Sequence, residues 1–265
     1  MTTGDPHYQA LLAHLSYYET TLQTPRYAAP KRLLRHGAKV YSQNDEDGIL
    51  QEIFRRIGVN RRTFVEFGVQ DGGECNTLLL LSSGWSGLWM EASAVYEAAI
   101  RERFDLFLRN EQLTCRQAFI TAGNINELMS DCAPDLDLLS IDIDYNDYWI
   151  WKALTVVRPR VVVIEYNASL KPPLSLAAPY GEDRRWDGSN FHGASLKALE
   201  KLGAEKGYSL VGCCFSGVNA FFVRDDLTAD HFHAPFTAEE HYEPPRYFLK
   251  YAAGHRPGIG RYVEV

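Results

Sequence analysis

At 265 residues, 46% of them hydrophobic and 23% charged, the chain can bury one sizeable core and shows none of the compositional bias of a disordered segment. Its net charge of −7, with no Lys/Arg block longer than pairs such as Arg55-Arg56 or Arg61-Arg62, excludes the electrostatic footprint of a nucleic-acid binder. No run reaches the roughly 18 apolar residues of a membrane span, and Met1-Thr-Thr-Gly-Asp-Pro lacks the basic and apolar regions of a signal peptide, so the expected setting is the cytoplasm and the expected partner a small molecule.

Residues 7–24 carry apolar groups at helical spacing until Pro25, Pro30 and Gly37 interrupt them. This is an expected helical arm, packed on the core or on a second subunit of a homo-oligomer. Residues 42–58 begin with Ser42-Gln43-Asn-Asp45-Glu46-Asp47 and continue with Ile49, Leu50, Ile53, Phe54 and Ile57, which predicts a capped amphipathic helix ending at Gly58. A short apolar strand follows over 64–67, a glycine-bearing turn over 68–73, the next helix from 76, and a second strand over 88–91.

The pattern then predicts a helix over 93–104, a third strand over 114–121, a fourth over 136–144, a helix over 148–157 and a β-branched fifth strand over 161–166. Continuous apolar strands alternating with helices require a parallel sheet covered on both faces. After a helix over 193–206, strands over 208–214 and 220–223 are joined by Phe-Ser-Gly-Val-Asn, too short for a parallel crossover, so they form an antiparallel hairpin. The expected fold is α/β: a Rossmann-like, doubly wound seven-stranded sheet, mostly parallel with an antiparallel C-terminal hairpin. The expected division is an arm (1–40), a core domain (41–228) and a C-terminal extension (229–265). Cys75, Cys115, Cys132, Cys213 and Cys214 lack metal-ligand spacing and read as free thiols.

Four strand ends carry the chemistry. Glu66 closes the first strand ahead of Gly68 and Gly72, and Glu91 closes the second, which together make a site for a nucleoside cofactor. A dinucleotide fits less well, because Gly68-Val-Gln-Asp71-Gly72-Gly73 does not match G-x-G-x-x-G. The fourth strand ends Asp142-Ile-Asp144, where alternation aims both carboxylates to one side and Ile141 and Ile143 to the other; Glu165 and Asn167 reach the same edge. Like charges this close raise one another's pKa unless a cation or shared proton intervenes, and oxygen ligands of this type suit Mg²⁺, Mn²⁺ or Ca²⁺. Competing tasks for these acids are helix capping by Asp142 or Asp147 and an arginine pair for Glu165. His192, of a residue type whose unperturbed pKa lies near neutrality, is a candidate base or substrate contact, and the loop over 167–192 is a candidate lid or substrate wall carrying Tyr180 and Trp186.

Glu66-Phe-Gly68-Val-Gln-Asp71-Gly72 with Cys75-Asn76-Thr77, Asp142-Ile-Asp144 and Glu165-Tyr-Asn167 resemble the class I S-adenosylmethionine-dependent methyltransferases, most closely the FkbM type, over roughly residues 40 to 225. The resemblance implies S-adenosylmethionine as cofactor. Glu66, Gly68, Asp71 and Gly72 would form the methionine-binding turn, Asn76 and Thr77 would help at the next helix, and Glu91 would accept both ribose hydroxyls. Asn124 would meet the adenine edge, Gln43 would reach over the methionine end, and Asp142 would border cofactor and acceptor alike.

The acids after strands four and five are similar to those of metal-dependent small-molecule O-methyltransferases, which implies Asp142 or Asp144, Glu165 and Asn167 as ligands of Mg²⁺ or Mn²⁺. Without a metal, Asp144 or His192 would be the base. Tyr145 stands where FkbM-type chains commonly have glycine, so it would narrow the methyl-transfer channel, stack on a flat substrate or change the reaction, with Tyr180 and Trp186 covering the acceptor. The expected function is O-methylation of a small molecule such as a sugar or secondary metabolite. The alternatives are a cofactor-binding accessory protein or inactive homologue, and a metal-dependent reaction other than methyl transfer on the same scaffold.

Overall fold

Strands buried on both faces need helices on both sides, and the computed structural model, which describes residues 6–247 and 263–265, has that layering. The strands are β1 (Thr63–Phe67), β2 (Ser86–Glu91), β3 (Leu113–Gln117), β4 (Leu138–Ile141), β5 (Val161–Glu165), β6 (Leu176–Ala177), β7 (Tyr208–Cys213), β8 (Asn219–Arg224) and β9 (Val263–Glu264). The helices are α1 (Pro6–Leu22), α2 (Glu46–Ile57), α3 (Leu78–Ser82), α4 (Ala94–Arg103), α5 (Asp105–Arg109), α6 (Ile125–Leu128), α7 (Asp147–Ala153), α8 (Leu196–Lys206), α9 (Asp225–Thr228) and α10 (Ala238–His241).

Seven strands form one sheet in the order β3-β2-β1-β4-β5-β8-β7. The first five run parallel, and β8 is antiparallel to both β5 and β7. The chain order reverses between β1 and β4, which opens a crevice at the C-terminal ends of those strands, where doubly wound sheets bind ligands. One face of the sheet buries Val65, Met90, Leu139, Ile164 and Phe222 against Ile150, Trp151 and Leu199 of α7 and α8. The other buries Phe64, Trp89, Val163 and Phe221 against Ile49, Ile53 and Ile100 of α2 and α4.

Several boundaries fall short of the sequence expectation, and at two of them a polar side chain captures backbone N–H groups. The fourth strand stops at Ile141 rather than Asp144, because the Ile143 amide donates to Asp147 Oδ1 at 2.8 Å and Asp144 takes a left-handed φ of 68°. Asp142 and Asp144 therefore lie beyond the strand, although Ile141 and Ile143 do pack on the α7 side. Helix α2 begins at Glu46 because residues 40–42 loop over its start, their three amides donating to Asp47 Oδ2 at 2.6–2.9 Å. The third strand ends at Gln117, the helix expected over 93–104 is α4 with the further short helix α5 directly after it, and β6 is an unforeseen strand paired with β9.

The C-terminal extension packs on its own core through residue 247. The Tyr166 hydroxyl donates to the Glu243 carbonyl at 2.7 Å, and Arg246 bonds both the Phe215 carbonyl and Glu243 Oε2 at 2.5 and 2.7 Å. From the arm, Tyr18 meets the Phe215 ring edge-on at 4.6 Å. All five cysteines are free, and no helix among the described residues is long and apolar enough to cross a membrane.

Candidate active site

Period-two alternation puts Glu66, Glu91, Ser140, Glu165 and Asn219 on the α2–α4 face of the sheet, because their neighbours at i−2 or i+2 all lie in that face's core. All five stand at the crevice edge. Glu66, 3% exposed, is fully engaged: Oε1 accepts from the Asn76 amide at 2.8 Å and Ser140 Oγ at 3.1 Å, Oε2 from the Thr77 amide at 3.0 Å and Thr77 Oγ1 at 2.6 Å. Burial pushes its carboxyl up while these bonds pull it down. Glu66 thus anchors the turn into α3, which starts at Leu78 because Asn76 and Thr77 give their amides to this carboxylate. This carboxylate, expected to meet a ligand ammonium, thus already accepts four bonds from the protein.

Gly68 is required by both conformation and space. Its φ is 72°, and a Cβ there would stand 1.7 Å from the Asp142 carbonyl oxygen. Gly72 has φ 76° and backs onto the Trp89 and Phe104 rings, 2.7 Å from where its Cβ would be. Asp71 lies at the outer rim, accepting from the Gly73 amide at 2.9 Å and from Arg103 at 3.3 Å.

Two cavities meet across Gly68, Gln70 and Asp142. The larger, about 350 Å³, is bordered by Glu91, Ser93, Phe119, Asp144 and Trp186. The smaller, about 100 Å³, is bordered by Gln43, Glu66, Asn76 and Asn219. Glu91, 7% exposed, is held at both oxygens, Oε2 accepting from the Gln70 amide at 2.9 Å and Oε1 from the Ser93 amide at 2.8 Å. Each oxygen keeps acceptor capacity for the cavity it borders. Asn124 does not border the cavity. Its side chain ties the loop after β3, Oδ1 accepting from the Thr121 amide at 2.8 Å and Nδ2 donating to the Phe119 carbonyl at 2.9 Å, so Phe119 and Ile120 take the wall position expected of it.

Beyond the junction, carboxylate oxygens of Asp142, Asp144 and Glu165 lie within 4.8 Å of one another. Glu165 Oε2 and the buried Asp147 Oδ2 have no hydrogen-bond partner among the described residues. Burial pushes Asp142 and Glu165 well above the usual carboxylate range, and mutual repulsion adds to it. Asp144 opens to the cleft, yet the surrounding protein and Glu91 raise it too. Burial pushes Asp147 up to about 7, with Asp144 adding and the Ile143 amide opposing. Three carboxylates with an oxygen left over form a donor set that fits an oxygen-preferring divalent cation.

Acids raised in the folded state keep protons that the unfolded chain has released, so their contribution to stability falls as pH rises from 3.8 towards about 7. Thermal melting with a chelator present is expected to show stability declining across that window, and Asp147→Asn is expected to flatten the decline. A native profile that rises from about pH 5 to about pH 8, or a variant profile parallel to it, contradicts this.

The remaining expected residues divide. Asn167, expected as a metal ligand, is buried and ties the loop over 167–192, its Nδ2 donating to the Asn190 and His192 carbonyls at 2.8 and 3.0 Å and its Oδ1 accepting from the Ser169 amide at 3.1 Å. His192, 2% exposed, lies beside Glu165 of the cluster, with Nδ1 3.8 Å from Oε2. Tyr145, expected at the methyl-transfer channel, is buried and borders neither of these two cavities, with Arg184 and Asp187 of the 167–192 loop as nearby charges. Tyr180 accepts from the Ala122 amide at 3.2 Å and meets the Trp149 ring edge-on, holding the loop from outside the cavity. Trp186 does border the larger cavity, its indole N–H donating to the Ser189 carbonyl at 2.6 Å. Sequence reasoning missed Gln70, Asn146, Arg184 and Asn219, which border the cavities; Asn219 lies in what reads as a plain hairpin link.

No protein-family model matches the chain, and no curated protein matches it. Among solved structures it is similar to an O-methyltransferase from Bacillus cereus in complex with SAH, at 18% identity and a TM-score of 0.35, over 63% of this chain and 70% of that one. It is similar to an S-adenosylmethionine-dependent methyltransferase from Clostridium acetobutylicum at 11% identity and a TM-score of 0.41, over 80% and 99%. A magnesium protoporphyrin IX methyltransferase from Synechocystis with bound SAM aligns at 10% identity and a TM-score of 0.42, over 84% and 100%. Likenesses this distant do not reach to function, for which the site's own residues are the guide.

Proposed function

We propose that the chain binds S-adenosylmethionine and methylates an oxygen of a small-molecule acceptor, as the resemblance to FkbM-type chains implies. The observation that carries this reading is the two-lobed cleft at the β1/β4 crevice, with a rigidly held Glu91 in one lobe and the carboxylate cluster at the junction. A carboxylate fixed by two backbone amides suits a vicinal diol, because both oxygens present acceptors without reorganising. The lack of a side chain at Gly68 lets a ligand lie against the backbone where the lobes meet. When bound, the cofactor supplies an electrophilic methyl group on a sulfonium.

Asp144, open to the cleft and raised by its surroundings, is suited to take the proton of an acceptor hydroxyl, with Glu165 and His192 standing behind it. A metal-assisted form of the same reaction is favoured by one observation, the convergence of Asp142, Asp144 and Glu165 with an unbonded Glu165 oxygen. Those three residues would hold Mg²⁺ or Mn²⁺, which lowers the pKa of a bound hydroxyl.

Incubation with S-adenosylmethionine and a panel of sugars and phenols, with Mg²⁺ or with chelator, tests both forms. S-adenosylhomocysteine release with at least one acceptor is expected, and Asp144→Asn is expected to lower kcat by about 10² to 10⁴. Loss of turnover in chelator selects the metal-assisted form. Cofactor binding without release for any acceptor selects a cofactor-binding accessory protein instead.

A further inference from the structure

Asn219 opens β8 directly opposite Glu165 in the antiparallel register, so its side chain enters the crevice from the hairpin, the part of the sheet farthest in sequence from the glycine turn. It is 3% exposed. Its Nδ2 donates to Glu46 Oε1 at 2.9 Å, and because a carboxylate can only accept, the amide nitrogen must face Glu46 and the oxygen must face away. Glu46 is itself fixed, accepting from the Asn44 amide at 2.8 Å and from Asn44 Nδ2 at 3.1 Å. The amide plane of Asn219 is therefore set in advance of any ligand.

The outward oxygen, Oδ1, is buried and has no hydrogen-bond partner among the described residues, and Asn219 borders the smaller cavity. Buried polar atoms in folded proteins almost always have partners, so an orphan acceptor at a cavity wall marks a place for a donor. Glu66, a carboxylate on the same cavity, already accepts four bonds from Asn76, Thr77 and Ser140. We infer that Asn219 Oδ1 receives the α-ammonium group of the cofactor's amino-acid end, with the nucleoside lying along Glu91 in the larger cavity. This rests on the cofactor reading above and adds a binding residue from outside the glycine turn. An acceptor oxygen selects the ammonium over the carboxylate of that end, which has no proton to give.

Calorimetric titration with two ligands tests it. S-adenosylhomocysteine carries the amino-acid end, whereas 5′-methylthioadenosine has the same nucleoside and thioether without it. The native chain is expected to bind both, the first more tightly. Asn219→Leu is expected to weaken S-adenosylhomocysteine binding about tenfold or more, the loss of a hydrogen bond to a charged group, and to leave 5′-methylthioadenosine unchanged. Asn219→Ser, which puts less apolar volume beside Glu46, provides the same comparison should the leucine variant not fold. Equal weakening of both ligands, or of neither, overturns the role of Asn219 alone. A native chain that binds neither ligand overturns the cofactor reading and this inference with it.

Discussion

Replacing Glu91 with alanine is expected to weaken nucleoside binding by at least about a hundredfold. Hydrogen bonds to a charged acceptor contribute about 1.5–3 kcal/mol each, and a diol that bonds both oxygens loses two of them. The substitution also strips the Gln70 and Ser93 amides of their acceptor, so the turn after β1 and the start of α4 lose a shared anchor. Glu91→Gln is the informative companion. Its amide group keeps one oxygen but turns an NH₂ towards a backbone N–H, so binding is expected to fall between native and alanine. Titration of all three proteins with S-adenosylhomocysteine checks the order, and an alanine variant of native affinity removes Glu91 from the site.

Gly68→Ala is expected to abolish ligand binding and to destabilise the fold, by more than a glycine replacement elsewhere. The new Cβ would lie 1.7 Å from the Asp142 carbonyl oxygen, a backbone atom that can move only if the ends of β1 and β4 separate. The left-handed φ of 72° adds about 1–2 kcal/mol for any residue with a Cβ. Gly58 provides the control, since it has φ 70° but nothing within 4 Å of the point a Cβ would occupy, so Gly58→Ala should carry the conformational cost alone. Denaturant melts of the two variants separate the terms. Equal destabilisation would mean that the strand ends yield freely, and retained binding in Gly68→Ala would mean that the crevice does not depend on their close approach.

The sheet is legible in the sequence because strand burial imposes apolar continuity and because a five-residue link cannot make a parallel crossover. Glu66, Glu91, Asp142 and Glu165 are legible for a related reason: an acid that ends an apolar run has to sit at the sheet edge. The tasks of individual residues are less so, since they depend on which backbone amide reaches which side chain. Glu66 and Glu91 look alike in sequence and each borders a cavity, yet the first already accepts four bonds from Asn76, Thr77 and Ser140 while the second accepts one at each oxygen. Asn167 and Asn219 owe their positions to a similar cause. The amide after β5 is drawn to carbonyls of its own loop, and the one in the hairpin is brought to the crevice by its register with Glu165. Tyr145, an apparent wall residue, turns inward because the backbone reverses at Asp144.

Whether the two joined cavities form one nucleoside-cofactor site is tested most directly by calorimetric titration of the native chain with S-adenosylhomocysteine. Saturable binding at one site per chain is expected, weakened at least about a hundredfold in Glu91→Ala and abolished in Gly68→Ala. No binding by the native protein, with or without Mg²⁺, would contradict it.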